Sequence, residues 1–423
     1  MGQQEVDQAW QTANKGNNTS PSSGKKGNFA SSALMPNYAR LPVAFVRGQG
    51  TRLWDDSGRE YLDFISGIGV NNLGHCPPAV VAAVQEQVTQ LIHTSNLYRV
   101  PLQEQLAQRL VDTCFADRVF FCNSGAEANE AAIKLVRRYT QERDKGHKRA
   151  QSGRYEIITT INSFHGRTMA TLTATGQDKV QRGYEPLLPG FRYVPFNNIE
   201  AVAKAITPQT AAIMVEPIQG ESGVVIPADD YLPALRALAD QHGLLLVLDE
   251  VQTGLGRTGR LWCHQWSSIT PDIMTIAKSL ASGLPMGACL AREEVARVFS
   301  PGSHGSTFGG TPLVSAAALA TLHMLLDQGV IASVNEKGAY LLSRLQQLQQ
   351  RHEMIRSVRG RGLMLAVELN SPAEEILSVC LSRGLLLSCQ MGTILRFLPP
   401  LTLSQEEMDQ AVAILDGVLT DSF

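Results

Sequence analysis

At 423 residues the chain is too long for one hydrophobic core, so two or three domains are expected. Apolar residues make up 44%, charged residues 18%, and the formal net charge is −2. This balance argues against nucleic acid or an anionic membrane as the main partner, and no run approaches the roughly eighteen apolar residues of a membrane span.

Taken in chain order, residues 1–30 are polar and lack the apolar stretch of a secretory signal. Glu5 and Asp7 interrupt this segment and it has no Arg, which speaks against a transit peptide. A disordered tail over 1–30 and a cytoplasmic protein are expected. Amphipathic helices are predicted at Val80–Ile92, after Pro77-Pro78, and at Leu102–Val111, after Pro101. A strand, Val119–Cys122, leads into a helix from about Ala126 to Tyr139. The basic stretch Arg143–Gly153 reads as an exposed loop. Strands at Glu156–Ile161, Ala211–Val215, Leu244–Leu248 and Ile273–Ile276 alternate with helix-like segments, which predicts α/β architecture around a mainly parallel sheet. After Pro312 come helices near Val314–Leu326 and Val334–His352, the second with Leu341, Leu345 and Leu348 at helical spacing. Strands near Leu363–Leu369, Leu385–Ser388 and Ile394–Phe397 then complete a smaller α+β region.

Seven cysteines form no Cys-x-x-Cys pair, and the odd count suits reduced thiols better than a disulfide framework. The nine histidines show no metal-ligand spacing, so no metal is expected.

The chemistry is concentrated at two strand ends. Leu244–Leu248 runs into Asp249, and Ile273–Ala277 runs into Lys278. In an open α/β sheet both groups would meet at the rim where ligands bind. A carboxylate for a pyridinium nitrogen and a lysine for a Schiff base are what pyridoxal phosphate chemistry needs. Asn123-Ser124-Gly125-Ala126, between a strand and a helix, offers free backbone N–H groups to a phosphate. Each feature alone has a plainer reading: Asp249 as a cap or ion-pair partner, Lys278 as a surface lysine, Ser124-Gly125 as a capping turn. Arg167 and Arg396 stand in Gly-bearing or apolar contexts, as carboxylate binders or members of internal ion pairs, and Glu221 suits the role of such an arginine's partner.

The segments Asn123-Ser124-Gly125-Ala126-Glu127-Ala128-Asn129-Glu130, Glu216-Pro217-Ile218-Gln219-Gly220-Glu221, Asp249-Glu250-Val251-Gln252-Thr253-Gly254 and His304-Gly305-Ser306-Thr307-Phe308-Gly309-Gly310, with the lysine segment, resemble the class III (subgroup II) aminotransferases. The resemblance runs from about Pro36 to the C-terminus. It implies a fold-type I pyridoxal-phosphate transferase. A large domain over 76–311 would carry a mainly parallel seven-stranded sheet, with a smaller α+β domain over 312–423 and an N-terminal segment over 31–75 packing with the smaller domain.

It also implies site roles. Lys278 carries pyridoxal 5'-phosphate as a Schiff base, Asp249 pairs with its ring nitrogen, Gln252 lies near its phenolic oxygen and Phe164 stacks on the ring. Ser124, Gly125 and Ala126 cradle the phosphate, with His165 and Ser306 as further cofactor contacts. Thr307 reaches the phosphate of a neighbouring subunit, which implies a homodimer with shared active sites. Arg167, helped by Tyr38, holds the distal carboxylate of an amino-acid or 2-oxo-acid substrate. Arg396 holds the α-carboxylate of glutamate, and Glu221 neutralises Arg396 when that carboxylate is absent.

Asn123–Lys134 and Asn37–Val43 look like the branch that transaminates between N2-acetylornithine and 2-oxoglutarate. Ile68 stands where relatives acting on ornithine carry Tyr, and an apolar side chain there suits an acylated substrate. 4-Aminobutyrate, ornithine and succinylornithine remain alternative donors. Ser222 and Thr311 depart from the family pattern, where Gly and Asn are common.

Overall fold

The computed structural model describes residues 33–144 and 153–421. The expected tail over 1–30, and all but the ends of the expected loop Arg143–Gly153, lie outside the described residues. Residues up to Phe45 cluster apart from Val46–Phe423. In the first unit, the described residues 33–45 are largely irregular and exposed, and the Arg40 guanidinium lies 5.5 Å from the centre of the Tyr38 ring.

The first strands in the chain are the short β1 (Phe45–Gln49), β2 (Arg52–Asp55) and β3 (Glu60–Asp63). The central strands follow as β4 (Arg118–Cys122), β5 (Glu156–Thr160), β6 (Phe191–Val194), β7 (Thr210–Val215), β8 (Leu245–Asp249), β9 (Ile273–Ile276) and β10 (Gly287–Ala291). They form one seven-stranded sheet in the order β4-β10-β9-β8-β7-β5-β6. Pairing is parallel from β9 through to β6, while β10 runs antiparallel to both its neighbours.

Both faces of this sheet are covered, which is why its central strands are apolar without alternation. Met214 and Val247 face the helix Gly125–Arg143, packing with Ile133 and Val136. Their neighbours Ile213 and Leu246 face the opposite helix Tyr231–His242, packing with Leu232 and Leu235. That second helix ends at Gly243, in the left-handed conformation that favours glycine. Proline opens the helices Pro78–Val88, Pro101–Val111 and Pro312–Leu322, where its missing N–H costs nothing.

The C-terminal strands are β11 (Ile355–Arg361), β12 (Met364–Leu369), β13 (Leu385–Leu386), β14 (Ser388–Gln390) and β15 (Ile394–Phe397). The expected strand Leu385–Ser388 is thus two strands serving two sheets. β13 pairs in parallel with β3, Leu385 opposite Leu62, and β14 pairs with β15 in the sheet β11-β12-β15-β14. β11 was not expected, because Ile355-Arg356-Ser357-Val358-Arg359-Gly360-Arg361 has no apolar run; it is an edge strand. The helix expected at Val80–Ile92 stops at Val88, where Thr89 turns its hydroxyl onto the Glu86 carbonyl. The helix expected near Val314–Leu326 begins at Pro312, and its last turn, His323–Asp327, widens so that Gln328 N–H reaches the His323 carbonyl. The helix Val334–Arg351 buries Leu341, Leu345 and Leu348 completely. Among the described residues no single helix is long and apolar enough to cross a membrane.

Candidate active site

Parallel pairing brings the strand ends to one rim. Asp249 closes β8 opposite Thr275 of β9, and Val215 closes β7 opposite Leu248. Because β4 and β9 both run antiparallel to β10, the end of β4 delivers Asn123 and Ser124 to the same rim. A cavity of about 420 Å³ opens there. Ser124, Gly125, Ala126, Phe164, His165, Arg167, Glu221, Asp249, Gln252 and Lys278 all line it, as expected at the carboxyl edge of such a sheet.

Asp249 is locked. Its Oδ2 accepts from Asn129 Nδ2 at 2.8 Å and lies 2.7 Å from His165 Nδ1, while Oδ1 accepts from Val251 N–H at 3.0 Å. Asn129 also donates to the His165 carbonyl and accepts from the Thr275 hydroxyl, so its amide has one orientation. His165 is fully buried, which disfavours its charged form, but the hydrogen bond and charge of Asp249 outweigh this and raise its pKa. Thr159 donates to the Ala174 carbonyl, leaving its oxygen to accept from His165 Nε2. His165, expected among the cofactor contacts, lines the cavity and, with Asn129 and Val251, orients Asp249. Asn129 was missed; the signal was its place one turn after Gly125 on the same helix.

Lys278 follows β9 at φ +45°, a left-handed conformation unusual for a residue with a side chain. Desolvation, with the positive charge of Arg396, outweighs Glu221, Asp249 and Glu216 and brings its pKa from 10.5 down to about 8. In the cofactor-free protein its amine should therefore become nucleophilic as pH rises through about 8. The pH dependence of aldehyde addition at Lys278 checks this, and a midpoint at the ordinary lysine value would refute it.

Arg396, on β15, is buried, and its guanidinium donates to Glu221 Oε1 at 2.7 Å and to the Gly220 carbonyl at 3.1 Å. Gln252 completes the group: its Nε2 donates to Glu221 Oε1 at 3.2 Å and its Oε1 accepts from Arg396 at 3.3 Å. Burial works against the Glu221 carboxylate, but Arg396 and Lys278 hold its pKa below the usual carboxylate range. Arg167 lies on the exposed side of the cavity, 5.5 Å from the Phe164 ring centre, and pairs with no carboxylate among the described residues.

At the mouth of the helix Gly125–Arg143, Ser124 Oγ accepts from Glu127 N–H as the N-cap. A Cβ on Gly125 would come within 2.8 Å of the Val251 side chain, so the helix start leaves no room for one. Ser306 lies beside this turn, its Oγ accepting from Asn123 Nδ2 at 3.1 Å, but it does not line the cavity. Thr307 is exposed and also outside it. Ile68 is exposed, at φ +66°, and it is Val70 that lines the cavity. Tyr38 belongs to the first unit. Glu250, beside Asp249, is buried elsewhere, taken up by the backbone and ring of His264. An amine with a lowered pKa, a fixed carboxylate and an open helix N-terminus fit a group bearing an aldehyde, a basic ring nitrogen and a phosphate.

Residues 33–419 match the family model for class-III aminotransferases. The chain belongs to that family. An acetylornithine aminotransferase of Caldanaerobacter subterraneus is 48% identical over 92% of this chain and 97% of its own length. The ornithine aminotransferase of Toxoplasma gondii, in a structure described as revealing partial occupancy of PLP at the active site, superposes with a TM-score of 0.87 at 33% identity, covering 92% of each chain. The acetylornithine aminotransferase of Elizabethkingia anophelis superposes with a TM-score of 0.81 at 32% identity, covering 92% of this chain and 96% of its own. The fold of this class-III aminotransferase is accordingly that of the pyridoxal-phosphate transferases.

Proposed function

We propose that this chain uses pyridoxal 5'-phosphate to exchange an amino group between N2-acetylornithine and 2-oxoglutarate, giving N-acetylglutamate 5-semialdehyde and glutamate, a step of arginine biosynthesis. The observation that carries the reading is the Arg396–Glu221 ion pair beside Lys278, a site able to face substrates with and without a carboxylate next to the reacting carbon. The 48% identity to a relative named for acetylornithine supports the donor.

The cofactor, when bound, supplies a protonated ring that takes up the electron pair left when a proton departs from the substrate carbon. Lys278 takes that proton and returns it; an amine with a pKa of about 8 suits both directions near neutrality. Asp249, held by three hydrogen bonds, keeps a ring nitrogen protonated. Ser124, Gly125 and Ala126 hold the phosphate at the helix N-terminus, and Phe164 offers its ring face. Arg167 takes the distal carboxylate of either substrate. Arg396 takes the α-carboxylate of glutamate or 2-oxoglutarate, and Glu221 neutralises it when acetylornithine is bound. In this reading residues 76–311 carry the cofactor and residues 312–423 form a smaller domain. The protein acts in the cytoplasm as a homodimer whose Thr307 serves the neighbouring site; exposure of Thr307 and Phe308 supports that role.

Holoenzyme titrated with N2-acetylornithine, without any oxo acid, should lose the visible absorbance of lysine-bound cofactor and gain the near-ultraviolet absorbance of its amino form. 2-Oxoglutarate should reverse the change. Conversion only with 4-aminobutyrate, ornithine or succinylornithine would move the donor and keep the class. No visible band after addition of the cofactor would overturn the reading.

A further inference from the structure

Glu216 follows β7 directly, is buried and lines the cavity, yet the reading above gives it no task. It forms no ion pair among the described residues. Its Oε2 accepts from Phe164 N–H at 3.1 Å and its Oε1 from Gly220 N–H at 3.3 Å. Burial, with Asp249 nearby, pushes its pKa up to about 7 against the favourable charge of His165 and the two amides.

These amides belong to the two arms of the site. Phe164 leads to Arg167, and Gly220 leads to Glu221. Gly220 is gripped at both ends, because its carbonyl accepts from Arg396 while its N–H donates to Glu216. The packing there has no slack: a Cβ on Gly220 would fall 1.9 Å from Gln252 Oε1. Ser222 also joins the two segments, donating to the Asn162 carbonyl at 2.5 Å, but it does not line the cavity. Of these two links, only Glu216 faces the cavity.

We propose that Glu216 is a positioning residue that holds the Phe164–Arg167 segment and the Gly220–Glu221 turn at a common spacing, so that one buried carboxyl sets the separation between the two arginine sites. The proposal rests on the reading of Arg167 and Arg396 as carboxylate sites. A dicarboxylate that spans both arginines should feel a change in their spacing, whereas acetylornithine, held by Arg167 alone, should feel it little.

Glu216→Gln keeps the shape but replaces one acceptor oxygen by an NH₂ that cannot accept, so at least one of the two amides loses its partner. In cofactor-loaded protein, hydrogen exchange should quicken in peptides covering both 162–168 and 217–223. The KM for 2-oxoglutarate should rise roughly tenfold, while the acetylornithine half-reaction changes less than about threefold. Ser222→Ala, which cuts a link that does not face the cavity, should leave that KM unchanged. Unchanged exchange in both peptides, equal losses in the two half-reactions, or the same KM rise in Ser222→Ala would each overturn the proposal. If Glu216→Gln folds poorly, Glu216→Ala must show the same pattern. The exchange measurement needs no turnover, so it reports on Glu216 even if the transamination reading fails.

Discussion

Lys278→Ala is expected to leave a folded protein with kcat lowered roughly 10⁴-fold or more. The side chain lost is a desolvated amine, so its removal takes away an unfavourable burial and should not lower the melting temperature. In the proposed mechanism what disappears is the group that moves the proton at the substrate carbon. Among the other titratable residues lining the cavity, Arg167 cannot release a proton near neutrality, and Asp249 has its oxygens committed to Asn129, His165 and Val251. Glu216 is committed to the Phe164 and Gly220 amides, Glu221 to Arg396 and Gln252, and His165 faces Asp249. Single-turnover rates with acetylornithine, followed by the cofactor's absorbance, check this. A variant within tenfold of the parent would show that another base moves the proton. Lys278→Arg should fail equally, because a guanidinium stays protonated.

Glu221→Ala should separate the two half-reactions. Arg396 is buried and Glu221 is the only carboxylate with which it forms an ion pair among the described residues. Removing one partner of a buried pair costs about 3–5 kcal/mol when nothing replaces it. Glu221 retains some exposure to the cavity, so about 2 kcal/mol is expected here, or roughly 30-fold. Acetylornithine brings no carboxylate to Arg396, and kcat/KM for that donor should fall by this factor. Glutamate brings its own, so its half-reaction should hold or improve. Equal losses for both substrates would sink the idea of a switch. Gln252 touches both members of the pair and should carry a smaller part of the same effect.

Much of this site could be read in the chain because its groups sit at the ends of short, wholly buried strands. Five apolar residues before Asp249, and a shorter run before Lys278, marked both the strands and the rim where they stop. The turn Ser124-Gly125-Ala126 was legible for the same reason, with a strand before it and a helix after. Less legible were the groups that fix these residues in place. Asn129 and His165 meet Asp249 from positions 120 and 84 residues away, and no local pattern announces such a meeting. Strands β1, β2, β3 and β6 escaped notice because they are short and lack a distinctive apolar run, and β11, though seven residues long, because polar residues interrupt it; the short buried run of β10 was missed as well.

By itself the sequence determined the class of architecture and pointed to Asp249 and Lys278 as the carboxylate and amine at the sheet's rim. These follow from local burial, which apolar runs report directly. The order of the central strands, with β10 between β4 and β9, came from the tertiary structure. Only the tertiary structure decided that Arg396 meets Glu221, since 175 residues separate them. Only it showed that Leu62 pairs beside Leu385. It also revealed Arg257, which is fully buried, pairs with no carboxylate among the described residues and donates to the Leu363 and Pro399 carbonyls and to Asn72 Oδ1. Burial of that guanidinium brings its pKa down to about 9. Such contacts arise from the closure of long loops, whose cost and reward depend on the packing of the whole chain and leave no periodic trace in the residues that make them.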